Sequence, residues 1–129
     1  LKKILVLGAG QSAPYLIHRL LQLAESRDWE VVVGDLDVSL AERRINRHPK
    51  GRAIGFDVTA EIQRREAIAD ADVVINMLSP RFLDLIAGEC VRYGRSMFSA
   101  SYRTRALKEM DTDARRKGLL LLTELGLDP

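Results

Sequence analysis

The 129-residue chain is short of the residues that cross-link or hold metals: it has one cysteine, Cys90, and two histidines. A single cysteine excludes an internal disulfide, and without a Cys/His cluster there is no set of ligands for a structural metal. Cys90 falls in an apolar helical pattern with Leu85, Ile86 and Val91, which predicts a buried, inert thiol rather than a nucleophile. Aromatic residues are only 5%, and a net charge of +2 is spread over interleaved acids and bases. The pI near 8.9 is therefore no nucleic-acid footprint. No apolar run is long enough to span a bilayer, and no charged–apolar–small leader opens the chain. These absences predict a cytoplasmic protein that engages neither nucleic acid nor membrane. With 47% apolar residues, the chain can bury one adequate core and has no room for a second domain.

What is present begins at the first residues. Ile4-Leu5-Val6-Leu7 reads as a short buried strand running into Gly8, Gly10 and Ala13, a GxGxxA turn, and Tyr15, Leu16, Leu20, Leu21 and Leu23 continue it as an amphipathic helix. In that setting the first glycine allows a tight turn, the second lets backbone approach a pyrophosphate, and the small third residue permits close helix–strand packing. Backbone N–H groups of Gly10, Gln11 and Ser12, aided by the positive end of the helix dipole, then meet phosphate charge without any basic side chain. A second strand, Glu30 to Gly34, ends in Asp35-Leu36-Asp37. Asp35 is placed to accept from the ribose hydroxyls and to repel a 2′-phosphate, which favours NAD over NADP, with Leu36 beside it. Asp37 is the candidate cap of the next helix. Arg43, Arg44 and Arg47 read as a solvated helix face rather than a phosphate clamp.

Strand and helix signals then alternate without repeat or long linker. Strands are expected near 3–7, 30–34, 52–56, 72–77, 95–99 and 119–123, and helices near 11–26, 38–47, 61–69, 81–93 and 104–117. This predicts an α/β Rossmann fold: a doubly wound parallel sheet of about six strands in the order 3-2-1-4-5-6, with helices on both faces. Ligands of such sheets lie outside the carboxyl ends of the strands. Asp57 and Val58 are thus placed to flank adenine, although Asp57 serves equally well as a helix cap before Thr59. Asn76, Met77, Leu78 and Ser79 would run beneath the ribose and nicotinamide, and Pro80 marks a helix start. His18, inside the first helix, and His48, before Pro49, read as surface or packing residues.

Later pieces carry a family likeness. Ala100-Ser101-Tyr102 after the fifth strand, the Ala106-Leu107-Lys108-Glu109 helix and the terminal Glu124-Leu125-Gly126-Leu127-Asp128-Pro129 resemble the ASY, A-x-KEL and ELGLDPG stretches of the saccharopine dehydrogenase family. Asp57-Val58-Thr59 and Val73-Val74-Ile75 fall in register with it, so the resemblance covers essentially the whole chain. It implies NAD(P)-linked oxidative cleavage of a secondary amine, saccharopine, to glutamate and aminoadipate semialdehyde. It also implies a cofactor contact at Ala100, substrate contacts at Ser101 and Tyr102, and an approach of Asp128 to the amino-acid end of the substrate. The family often shows Pro-x-x-Phe-His after the fourth strand, where this chain reads Ser79-Pro80-Arg81-Phe82-Leu83.

The chain starts at Leu1 without Met and stops where the family continues into a large substrate-binding domain. A cofactor domain, excised or partly ordered, is expected, with its own C-terminal domain as partner and room for a homodimer. Two rivals remain: a regulatory NAD-sensing Rossmann domain, like those gating potassium transport, and a divergent short-chain reductase. The first has no reason to carry ASY and ELGLDP. The second needs a Tyr-x-x-x-Lys pair, but Ala106 stands four residues after Tyr102.

Overall fold

A computed structural model of the chain describes residues 1–101 and 103–123. Its elements alternate from the first residue: β1 (Lys2–Leu7), α1 (Pro14–Arg27), β2 (Trp29–Asp35), α2 (Val38–Ile45), β3 (Gly51–Gly55), α3 (Glu61–Asp70) and β4 (Val73–Asn76). A 3-10 turn, Pro80–Phe82, leads into α4 (Leu83–Tyr93), followed by β5 (Ser96–Ser99), α5 (Arg105–Arg116) and β6 (Leu121–Leu122). All paired strands are parallel, in the order β3-β2-β1-β4-β5-β6. The doubly wound Rossmann topology is thus the one expected from the sequence.

Alternate residues of the central strands feed two cores. Val6, Val31 and Val33 face α1 and α2, where they meet Ile17, Leu21, Ala41 and Ile45. Leu5, Leu7, Val32, Val74 and Met97 face the other way, against Ile68, Ile86 and Leu107 of α3, α4 and α5. The near-continuous apolar runs of β1 and β2 are explained by this burial on both faces. On the α1 side, however, helix cover does not extend across the sheet. Val73, Ile75 and Phe98 remain part-exposed and floor a cleft of about 760 Å³. Tyr15 and Leu16 form one side of it, and Trp29 lies at its lower end.

Several boundaries differ from the sequence expectation, each for a local reason. The first helix starts at Pro14 rather than near residue 11, because proline at its first turn has no N–H to satisfy and a φ already suited to a helix. Residues 11–13 form a turn instead. Helix α2 stops at Ile45, where Asn46 turns left-handed and donates its N–H to the Glu42 carbonyl. At its other end Asp37 caps α2 as expected, its side chain accepting from the Leu40 N–H. Strand β6 has two residues only, since just Met97 and Phe98 pair with it. Among the described residues no helix is long and apolar enough to cross a membrane.

Candidate nicotinamide-dinucleotide site

The turn after β1 is built into both neighbouring strands. The Gly8 N–H donates to the Gly34 carbonyl at 2.8 Å, and the Met77 N–H donates to the Leu7 carbonyl at 2.7 Å. Gly8 has φ +100°, and a Cβ there would stand 3.0 Å from the Met77 backbone carbon and oxygen. This position therefore needs glycine to fold. Gly10 differs, because a Cβ there would meet nothing within 4 Å. The space in front of Gly10 is open, and the exposed Gln11 and Ser12 border it. Among the described residues the amides of Gln11 and Ser12 have no acceptor, while Ala13 bonds back to the Gly10 carbonyl at 3.1 Å. Unpartnered amides in the turn just before α1, beside the open space at Gly10, fit a pyrophosphate.

Asp35 closes the next corner. Its Oδ2 accepts from the Ala9 N–H at 2.8 Å and its Oδ1 from the Asp37 N–H at 2.9 Å. Each oxygen keeps a further lone pair, so the carboxylate fixes the turn and can still accept from a ribose hydroxyl. Leu36 beside it is 79% exposed. The arginine reading needs correction at one residue. Arg43 and Arg47 are exposed, but Arg44 is half-buried, and its Nε donates to the Ala9 carbonyl at 2.9 Å. It reaches the glycine turn because α2 packs against α1 and β2. An i, i+3 pattern of charges cannot show which member points back across the loop.

At the β3 end, Asp57 neither caps the helix nor stands unengaged. Its Oδ1 accepts from the Thr59 N–H at 2.9 Å and from the Thr59 hydroxyl at 2.7 Å, whereas α3 starts after Ala60 with no side-chain cap. Those two bonds hold the Asp57 carboxyl below its ordinary value. The loop is tied down by side chains the sequence reading passed over. Gln63 accepts from the Asp57 N–H at 2.6 Å and donates to the Gly55 carbonyl at 3.1 Å. Buried Arg64 donates to the Val58 carbonyl at 2.9 Å and to Glu89 Oε2 at 3.0 Å. Glu89, itself buried, also takes Arg65 at 3.1 Å and Arg92 at 3.5 Å. A polar residue every third or fourth position on a helix reads as surface, and here that signal conceals a buried cluster.

The β4 and β5 ends are joined by a smaller bracket. Buried Asn76 accepts from the Leu78 N–H at 3.1 Å and donates to Ser99 Oγ at 3.4 Å; the same hydroxyl accepts from the Ser101 N–H at 3.2 Å. Asn76, Ser99 and Ser101 thereby set the backbone of Met77, Leu78 and Ala100 at the carboxyl edge, with Ser79 exposed beyond them. Asn76 orients this segment rather than offering its amide outward. Met77 and Ala100, with Ser12, also line the upper part of the apolar cleft. Two expected substrate contacts, Tyr102 and Asp128, lie outside the described residues. His18 is exposed, and His48 bonds Glu25 at 2.8 Å, tying the α2 end to α1. Cys90 is buried and free, as expected, and burial pushes its thiol up to about 12.

Comparison with known proteins agrees with this fold. Residues 4–122 match the family model described as the saccharopine dehydrogenase NADP binding domain. Saccharopine dehydrogenase [NADP(+), L-glutamate-forming] of Saccharomyces cerevisiae is 31% identical over 99% of this chain, and its Schizosaccharomyces pombe counterpart is 26% identical over 98%. The chain spans 28% and 27% of those two proteins. Mitochondrial alpha-aminoadipic semialdehyde synthase of Bos taurus is 31% identical over 99% of the chain, which covers 14% of it. The apo structure of the S. cerevisiae L-Glu-forming enzyme superposes with a TM-score of 0.85 at 29% identity, over 100% of this chain and 28% of that one. The family description and both yeast names carry NADP, whereas Asp35 alone pointed to NAD. The chain belongs to the saccharopine dehydrogenase family, as its nicotinamide-cofactor-binding domain.

Proposed function

We propose that this domain holds a nicotinamide adenine dinucleotide along the carboxyl edge of its sheet and serves a longer enzyme that cleaves saccharopine or a related secondary amine. The open space before Gly10, next to amides that have no acceptor among the described residues, carries this reading. The pyrophosphate is assigned to Gly8, Gly10, Gln11, Ser12 and Ala13. The adenosine lies between Asp35 with Leu36 and the Asp57–Val58 loop, and the nicotinamide over Asn76 to Ser79 and Ala100. A nicotinamide held there would supply the hydride acceptor for oxidising the secondary amine to an imine with loss of a proton, and water would then split the imine into glutamate and aminoadipate semialdehyde. The protein's part is positional and electrostatic. Ser101, Tyr102 and Asp128 are assigned as substrate contacts, which the cofactor edge by itself does not make into a closed pocket. A small amino-acid substrate and a following domain of the same polypeptide complete the reading, which places the protein in lysine metabolism and in the cytoplasm. The Bos taurus relative, by name, is mitochondrial.

Titration of the 129-residue chain with NAD and NADP tests the assignment. Weak but saturable binding is expected, with no dehydrogenase activity, because hydride transfer needs the substrate carbon held about 3–3.5 Å from the nicotinamide by a wall on its far side. Absence of binding to either dinucleotide refutes the site. Turnover of saccharopine by these residues alone refutes the need for a second domain.

A further inference from the structure

Asp35 and Arg44 grip the same residue from opposite sides: the carboxylate takes the Ala9 N–H at 2.8 Å, and the guanidinium gives its Nε–H to the Ala9 carbonyl at 2.9 Å. Only Nε of Arg44 is used in this way; its two terminal nitrogens donate to nothing among the described residues. The side chain is half-buried and held by α2, so those terminal donors are fixed beside the glycine turn. Because Arg44 and Asp35 hold the same residue, Ala9, the fork stands near the end of β2, where the adenosine ribose of a Rossmann dinucleotide lies. We propose that Arg44 is a specificity-determining residue, whose terminal N–H groups receive the 2′-phosphate of NADP and offset the charge of Asp35, so that the domain accepts NADP as well as NAD. This rests on the dinucleotide site proposed above.

The chemistry follows from the two groups. A dianionic 2′-phosphate beside an uncompensated carboxylate is repelled, and this repulsion underlies the NAD preference expected from Asp35 alone. A guanidinium with a planar fork of free donors pairs with phosphate oxygens more effectively than a point charge. Its Nε bond to Ala9 orients that fork before the ligand arrives, which lowers the ordering cost of binding. NAD lacks the phosphate and gains nothing from the fork, so the two cofactors should respond differently to the loss of Arg44.

The experiment is calorimetric titration of the wild-type chain, Arg44→Gln, Arg44→Lys and Asp35→Asn with NAD, NADP and adenosine 2′,5′-bisphosphate. The wild type should bind both dinucleotides. Arg44→Gln should weaken NADP and the bisphosphate about tenfold or more while NAD changes less than about twofold. Arg44→Lys should recover part of the NADP affinity, because it restores the charge but not the fork. Asp35→Asn should tighten NADP relative to NAD. Parallel loss of both dinucleotides in Arg44→Gln, with its circular dichroism unchanged, would make Arg44 a clamp on the turn and overturn the proposal. So would wild-type binding of NAD but not NADP. Failure of the wild type to bind any of the three ligands would instead strike the dinucleotide site itself. If Arg44→Gln does not fold, the lysine variant decides: an NADP-to-NAD affinity ratio equal to that of the wild type overturns the assignment.

Discussion

Gly10 and Gly8 sit two residues apart in one motif, yet the structure gives them different duties, and substitution separates the two. In Gly10→Ala the added Cβ meets nothing within 4 Å, and Gly10 is not among the residues of positive φ. Folding stability should change by no more than about 0.5 kcal/mol, with a small gain favoured because alanine restricts the unfolded chain. Cofactor binding should fall by about a hundredfold or more, equivalent to about 2.7 kcal/mol, because the methyl group takes the space a pyrophosphate would fill. In Gly8→Ala the order reverses. A Cβ at φ +100° and 3.0 Å from the Met77 carbonyl must strain the turn or push β4 aside, at a cost of about 1–3 kcal/mol. Urea unfolding followed by circular dichroism gives the stabilities, and calorimetric titration gives the affinities. A Gly10→Ala protein that binds either dinucleotide like the wild type would refute the placement of the phosphate. Equal destabilisation by the two variants would refute the division of labour.

Two further outcomes are expected. Glu89→Gln should cost about 3–5 kcal/mol in urea unfolding, since it leaves buried Arg64 without its charge partner; a loss below about 1 kcal/mol would show the cluster to be solvated. Cys90, whose thiol is raised from 9.0 to about 12 chiefly by burial and secondly by the Glu89 charge, should resist thiol reagents in the native state and react only on unfolding. The same shift means that its contribution to stability is full below pH 9.0 and is lost progressively as pH rises towards about 12. Fast labelling of the folded protein would show that the thiol is accessible, and a Cys90→Ala variant with an unaltered alkaline unfolding profile would remove the linkage.

Much of this molecule is written in short-range pattern. Ile4 to Leu7 followed by Gly8, Gly10 and Ala13 carries strand, turn and helix in the order that chemistry requires, and the buried apolar runs announced the parallel sheet and its strand order. The acids at strand ends were also visible, because core packing has no use for Asp35 or Asp57 where they stand. What could not be read was partnership across the fold. Asp35 reaches the Ala9 amide from 26 residues away, and Arg44 reaches the Ala9 carbonyl from 35 residues away. Glu89 takes Arg64 and Arg65 from a different helix. No periodicity marks these pairs, since Arg44, Arg64, Arg65 and Glu89 each satisfy the pattern of a solvated helix face and nothing local ties Asp35 to Ala9. Ser99 was hidden for the opposite reason: a small residue in a strand reads as filler until the Asn76 side chain is found against it.

The part-bare floor formed by Val73, Ile75 and Phe98 has a thermodynamic consequence for the domain studied by itself. Water already wets these side chains in the folded state, so unfolding hydrates less new hydrocarbon than the chain's length would lead one to expect. The heat-capacity increment of unfolding should therefore fall below the ordinary ~12–15 cal/mol/K per residue, and the urea m-value should be reduced with it. A smaller increment flattens the stability curve, so this domain should lose stability more gently on cooling than a Rossmann unit whose sheet is covered on both sides.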